Sequence, residues 1–176
     1  MKTIAIDIDG TLTGNDLECA IYSAKLGRPI LPHDLIDYNV AKALSITEDE
    51  ERAIWDKKTI DLFYDNADPD IAAIKKVNQI SEEYDAVIIL SKRFSYGYDA
   101  TLRWLKRNKV YFNKLVLTNE QDKTPFLDLY KVNTIVEDND YYIDYLSGKA
   151  NLYTYLVERP YNKNKTTMAN EIIKLT

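Results

Sequence analysis

Few residues here could build a thiolate or imidazole metal site, since the chain has one cysteine, Cys19, and one histidine, His33. A single cysteine excludes an internal disulfide framework and a thiolate cluster, which fits a reducing compartment. Cys19 reads as a small apolar packing residue. His33 stands in Pro-His-Asp, a loop-like stretch, isolated from any second imidazole, and reads as a loop residue rather than a catalyst. Positive charge is also in deficit: 23 Lys and Arg face 28 Asp and Glu, a net charge of −5. Extended nucleic acid, which is bound by clustered Lys and Arg, is therefore not an expected partner. No apolar run approaches the roughly 20 residues of a spanning helix, and the N-terminus lacks the basic, apolar and cleavage segments of a signal peptide. These absences predict a cytoplasmic protein with no membrane partner. They leave its oligomeric state open.

What remains is an ordinary globular composition, 45% hydrophobic and 29% charged over 176 residues, enough for one compact domain with room for an inserted subdomain. "KTIAIDI" alternates and is rich in isoleucine, which predicts a first strand. "NDLECAIYSAKLG" predicts a helix, with Asn15 or Asp16 as N-cap and Gly27 as its stop. Thr47 and Glu50 form a capping box for a helix running through Trp55 towards Phe63. In "ADPDIAAIKKVNQISEEY", Asp68 is the expected N-cap, with Pro69 at the first helical position. A continuous apolar run, "AVIILS", then begins a regular alternation. Helix "DATLRWLKRN", strand "KLVLT", helix "PFLDLY", strand "NTIVED", helix "DYYIDYLSG" and strand "LYTYLVE" follow in order. Strands alternating with helices predict an α/β fold with a parallel sheet covered on both faces.

In such sheets ligands bind at the carboxyl ends of the strands. The first strand ends in Asp7 and Asp9, the second in Ser91, Lys92 and Arg93, and "NTIVED" in Glu137 and Asp138. "AIDIDGTLT" also has the form of a hairpin around Asp-Gly. A calcium loop fails, because Leu12 stands where that loop needs glycine and a strand stands where its entering helix belongs. Paired aspartates at a solvated strand end are a third reading, set against the cost of burying like charges without a partner.

"DIDGTLT" resembles the first motif of the haloacid dehalogenase superfamily of phosphohydrolases. "ILS", ending in Ser91, looks like its second motif, Lys123 in "QDKTPFLDL" like its third, and "TIVEDND" like its acidic fourth, all in the required order. The resemblance implies a Rossmann-like core with a small helical cap inserted after the first strand, here residues 1–14 and 66–176 for the core and 15–65 for the cap. It implies Asp7 as nucleophile, forming an aspartyl-phosphate, and Asp9 as general acid and then base. It implies Mg²⁺ held by Asp7, Asp138 and the backbone carbonyl of Asp9, with Glu137 behind them hydrogen-bonding a metal-bound water. Glu137 and Asp138 could exchange these roles, and Lys114 and Lys131 compete with Lys123, which alone opens the helix before the acidic strand. Ser91, Lys123 and the backbone around Gly10 and Thr11 would hold the phosphate; as a bland alternative, Ser91 only caps a strand end.

"DLIDYNVAKALSITEDE", "TLRWLKRNKVYFNKLVL" and "ERPYN" look like bacterial and phage relatives of the 5'(3')-deoxyribonucleotidase group. There "SKR" matches a pattern in which an arginine, here Arg93, aids substrate binding. The implied partner is a small phosphate ester, first of all a nucleoside monophosphate. A sugar phosphate, a nucleic-acid 3' end and a non-catalytic nucleotide- or partner-binding protein are the alternatives. Tyr38, Trp55, Phe63, Tyr64, Phe94 and Tyr96 are available to stack on a base, although most of the fourteen tyrosines serve packing.

Overall fold

The structure, a computed structural model, describes residues 1–175. Six strands form one all-parallel sheet: β1 (Thr3–Ile6), β2 (Ala86–Ser91), β3 (Lys114–Leu117), β4 (Thr134–Glu137), β5 (Tyr153–Val157) and β6 (Glu171–Ile173), in the order β3-β2-β1-β4-β5-β6. Among the described residues eight α-helices accompany it: α1 (Asp16–Leu26), α2 (Val40–Leu44), α3 (Glu48–Ile54), α4 (Lys57–Asn66), α5 (Ile71–Ser81), α6 (Tyr98–Arg107), α7 (Thr124–Leu129) and α8 (Asp140–Leu146). None is long and apolar enough to cross a membrane.

The two-residue period of the strands divides the core by face. Ile4, Ile6, Val87, Ile89 and Val136 point to one side, where Ile74, Val77, Trp104 and Leu105 of α5 and α6 cover them. Ala5, Ile88, Leu90 and Ile135 point to the other, against Leu127 of α7 and Ile143 and Leu146 of α8. The residues between β1 and α5 add no strand to the sheet, and their apolar side chains, among them Tyr22, Leu44, Ile54 and Phe63, join the first of these cores.

The structure departs from the local expectations at four points. The helix expected to run through Trp55 breaks there: α3 ends at Ile54, and Asp56 caps a new helix by accepting from Thr59 N at 2.8 Å. Asp68 does not cap the helix that follows it. Asp70 does so, accepting from Ala73 N at 2.9 Å, while Asp68 reaches across the chain and accepts from Leu17 N at 2.8 Å, at the start of α1. The sixth strand was not foreseen, because three residues at a sheet edge carry too little pattern to read. Residues 8–13 form a loop rather than the second arm of a hairpin, with Ile8 O accepting from Thr11 N, Leu12 N and Thr13 N.

Candidate active site

The chain builds outwards from β1 through β2 to β3, then returns to the far side of β1 for β4 to β6, so the sheet's topological switch lies between β1 and β4. A crevice opens at the carboxyl ends of such a pair. Ile6 is paired with Val136, which brings the next residues, Asp7 and Glu137, side by side at its mouth.

Lys123 enters from the start of α7 and is only 2% exposed. Its Nζ donates to Asp7 Oδ1 at 2.5 Å and to both Glu137 carboxylate oxygens at 3.2 Å. Asp138, the next residue, has its two oxygens shared out: Thr11 Oγ1 donates to Oδ1 at 2.8 Å and Tyr161 Oη to Oδ2 at 2.5 Å. Gly10 lies close over this carboxylate with a φ of +77°, and a Cβ there would come within 2.7 Å of the Tyr161 hydroxyl. Glycine is required on both counts.

Asp9 faces a different partner. Arg93 grips it with Nε at 2.9 Å from Oδ2 and Nη2 at 2.6 Å from Oδ1. The guanidinium is buried, 4.5 Å above the Tyr64 ring, and its Nη1 donates to Tyr64 O and Thr101 Oγ1, both at 3.1 Å. Ser91 Oγ, also buried, accepts from Arg93 N at 3.2 Å.

The residues singled out in the sequence thus form two groups. Asp7, Thr11, Lys123, Glu137 and Asp138 converge on one cluster, and Asp9, Ser91 and Arg93 form a second group linked through Arg93. The N–H groups of Gly10 and Thr11 are committed within the loop, to Thr13 Oγ1 at 2.9 Å and Ile8 O at 3.2 Å. Sequence reasoning did not assign roles to Arg159, Tyr161 and Asn162, which touch both sides of the crevice. The signal was "ERPYN" at the end of β5, noted only as a likeness.

Asp7, Glu137 and Asp138 each offer a carboxylate oxygen, all within 4.8 Å of one another. Three buried carboxylates face one buried ammonium, an excess of two negative charges that a dication would balance. The donors are all hard oxygens, which suit Mg²⁺. Electrostatics carries the same mark. Burial raises the Asp7 carboxyl above its ordinary value, with Lys123 pulling it back. Burial, then the Asp7 charge, raises Glu137 well above its ordinary value, and the same two causes push Asp138 up to about 6. Burial opposes charge on Lys123, but Asp7 and Glu137 outweigh it and keep the ammonium protonated.

Beside the cluster lies a cavity of about 390 Å³ whose lining includes Asp9, Gly10, Asp138 and Tyr161. Tyr38, Trp55, Phe63, Tyr64 and Phe94 give it aromatic walls, and no Lys, Arg or His lines it, whereas Glu18, Asp37, Glu51 and Glu120 do. Asp7, Lys123 and Arg93 are outside this lining.

No model of a known protein family matches the chain. It is similar to a Bacillus subtilis protein named "Putative nucleotidase YqfW", with 24% identity over 163 residues that span 93% of this chain and 83% of that protein. Among solved structures, a haloacid dehalogenase-like protein of unknown function from Agrobacterium tumefaciens superposes with a TM-score of 0.61 at 15% identity, covering 98% of this chain and 93% of that one. The chain thus shares its fold with hydrolases of the haloacid dehalogenase superfamily. Its six-stranded parallel sheet flanked by helices matches the Rossmann-like α/β fold of those hydrolases. A Bacillus subtilis protein described as "putative HAD-hydrolase YfnB", solved bound to magnesium, shares the fold at a TM-score of 0.56 and 11% identity over 98% of this chain and 93% of that one.

Proposed function

We propose that this haloacid dehalogenase-type hydrolase is a Mg²⁺-dependent phosphatase of nucleoside monophosphates that works through an aspartyl-phosphate on Asp7. The observation that carries this reading is the convergence of Asp7, Lys123 and Asp138 at the switch crevice, with Asp9 and an aromatic cavity beside them. Asp7 attacks phosphorus, and the bond from phosphorus to the ester oxygen breaks. Asp9 gives that oxygen its proton, then takes a proton from the water that attacks the phosphoryl group and frees Asp7. Arg93, holding both Asp9 oxygens, sets the direction of that carboxylate. Lys123 and the Ser91 hydroxyl bind transferring oxygens, and Gly10 and Thr11 let the chain turn close to them. Bound between Asp7, Asp138 and the Asp9 carbonyl, Mg²⁺ would supply charge neutralisation for the phosphoryl oxygens.

Residues 15–65 are assigned as the cap, residues 1–14 and 66–176 as the core. The cap's Tyr38, Trp55, Phe63 and Tyr64 offer stacking surfaces to a base. The acidic wall suits an uncharged leaving group with hydrogen-bond donors better than one bearing a second phosphate. The name of the Bacillus subtilis relative agrees with a nucleotide substrate.

The test is phosphate release from a panel of 5' and 3' nucleoside monophosphates and sugar phosphates, with Mg²⁺ or with EDTA. The expected pattern is Mg²⁺-dependent release from nucleotides that Asp7→Asn abolishes. Release from sugar phosphates alone would overturn the substrate class, and no release at all would overturn the phosphatase.

A further inference from the structure

The turn after β5 holds the crevice from both sides. Arg159 donates through Nε to Gly10 O, through Nη2 to Thr11 O at 3.0 Å, and through Nη1 to Asp70 Oδ2 at 2.6 Å, so it grips the loop after β1 and the start of α5 together. Asn162 Nδ2 donates to the backbone oxygen of Asp138 at 2.7 Å and to Val157 O at 2.9 Å, while its Oδ1 accepts from Arg159 N at 2.8 Å. Tyr161 lies between them, 7% exposed, with its hydroxyl 2.5 Å from Asp138 Oδ2. An ionised carboxylate only accepts, so the phenol hydroxyl is the donor of this bond. Its ring meets Tyr38, which precedes α2, edge to face at 6.0 Å.

A carboxylate turns freely about its Cβ–Cγ bond unless something fixes its plane. With Thr11 on one oxygen and Tyr161 on the other, each Asp138 oxygen spends one lone pair on a donor and keeps one. Outer partners of this kind orient a metal-binding carboxylate and raise affinity by about 10- to 100-fold.

The geometry points to Tyr161 as a positioning residue for the divalent cation, fixing the Asp138 carboxylate in the orientation that binds it, with Asn162 holding the same residue by its backbone. This rests on the cation site of the proposed function, but it is read by cation binding and needs no turnover.

The experiment is calorimetric titration of the full chain with Mn²⁺ and with Mg²⁺, alongside thermal unfolding in EDTA. Tyr161→Phe keeps the ring and its contact with Tyr38 and removes only the hydroxyl. It is expected to raise the Kd for both cations by about 10- to 100-fold. Tyr84→Phe, which removes the hydroxyl bonded to Thr134 Oγ1 at 3.0 Å, leaves Kd unchanged. A Kd for Tyr161→Phe within twofold of wild type, with only the melting temperature lowered, would overturn the proposal and make the contact purely structural. Should Tyr161→Phe fail to fold, Asn162→Ser decides: a rise in Kd of threefold or more supports the account, and an unchanged Kd contradicts it. A wild-type chain that binds neither cation overturns it outright. A chain that releases phosphate normally while Tyr161→Phe binds cations as wild type does keeps the phosphatase reading and loses this one.

Discussion

Lys123 Nζ stands 2.5 Å from Asp7 Oδ1, an ion pair in which the ammonium is 2% and the carboxylate side chain 9% exposed. The same ammonium serves Glu137 at 3.2 Å, so Asp7 and its acidic neighbour share one cation. Removing that cation leaves buried carboxylates facing each other, which costs about 3–5 kcal/mol for a broken buried pair. Lys123→Met is therefore expected to lose about 3–5 kcal/mol by urea unfolding in EDTA. Phosphate release should fall by about 10³-fold even at saturating Mg²⁺, because one stabiliser of phosphoryl charge is gone.

Arg93 is committed on every side, to Asp9, Tyr64 O and Thr101. A lysine has the charge without the fork. Arg93→Lys should lower kcat by about 10- to 100-fold, equivalent to about 1.4–2.7 kcal/mol, as Asp9 loses its fixed direction. KM should move less than kcat, which steady-state kinetics on a nucleoside monophosphate would show. An equal loss in both would place Arg93 on the substrate instead.

Cation binding and protonation compete for Asp138. Its carboxyl is pushed up to about 6 by burial and by Asp7, so affinity for Mg²⁺ should fall as pH drops through about 6. At pH 7.5, Mg²⁺ at about 100 times its Kd should stabilise the fold by about 2.7 kcal/mol over EDTA. Asp138→Asn should abolish that gain in thermal unfolding. A gain that persists would put the cation elsewhere.

Glu18, on the wall of the cavity, gives a further pH signature. Burial pushes its carboxyl up to about 7 from 4.5, against a 3.0 Å hydrogen bond from Asn15 Nδ2. A raised acid is favoured uncharged in the fold, so its contribution is fully present below pH 4.5 and is lost as pH rises through about 7. Because Glu18 is only partly buried, the effect is discounted to about 1 kcal/mol. Glu18→Gln should gain about that much over wild type between pH 5 and pH 8, measured by urea unfolding in EDTA.

Strands, and the acidic side chains at their ends, were legible because they rest on local signals. An apolar run followed by Asp7 or by Glu137 and Asp138 needs no knowledge of the rest of the chain, and neither does the Thr47–Glu50 capping box, which forms as read. What escaped the sequence depends on distant partners. Asp68 precedes a helix but caps another one 51 residues away. Arg93 carries the charge that a phosphate site needs, yet the fold pairs it with Asp9, 84 residues earlier. Tyr161 is one tyrosine among fourteen until the fold brings it to Asp138.

The central claim is a covalent phosphoryl group on Asp7. Wild-type protein mixed with a nucleoside monophosphate labelled with ³²P in its phosphate, in Mg²⁺, and quenched in acid within milliseconds should carry label on the protein. Hydroxylamine, which cleaves acyl phosphates, should release that label, and Asp7→Asn should carry none. Turnover without any label on the wild-type chain, or label undiminished in Asp7→Asn, would contradict the account.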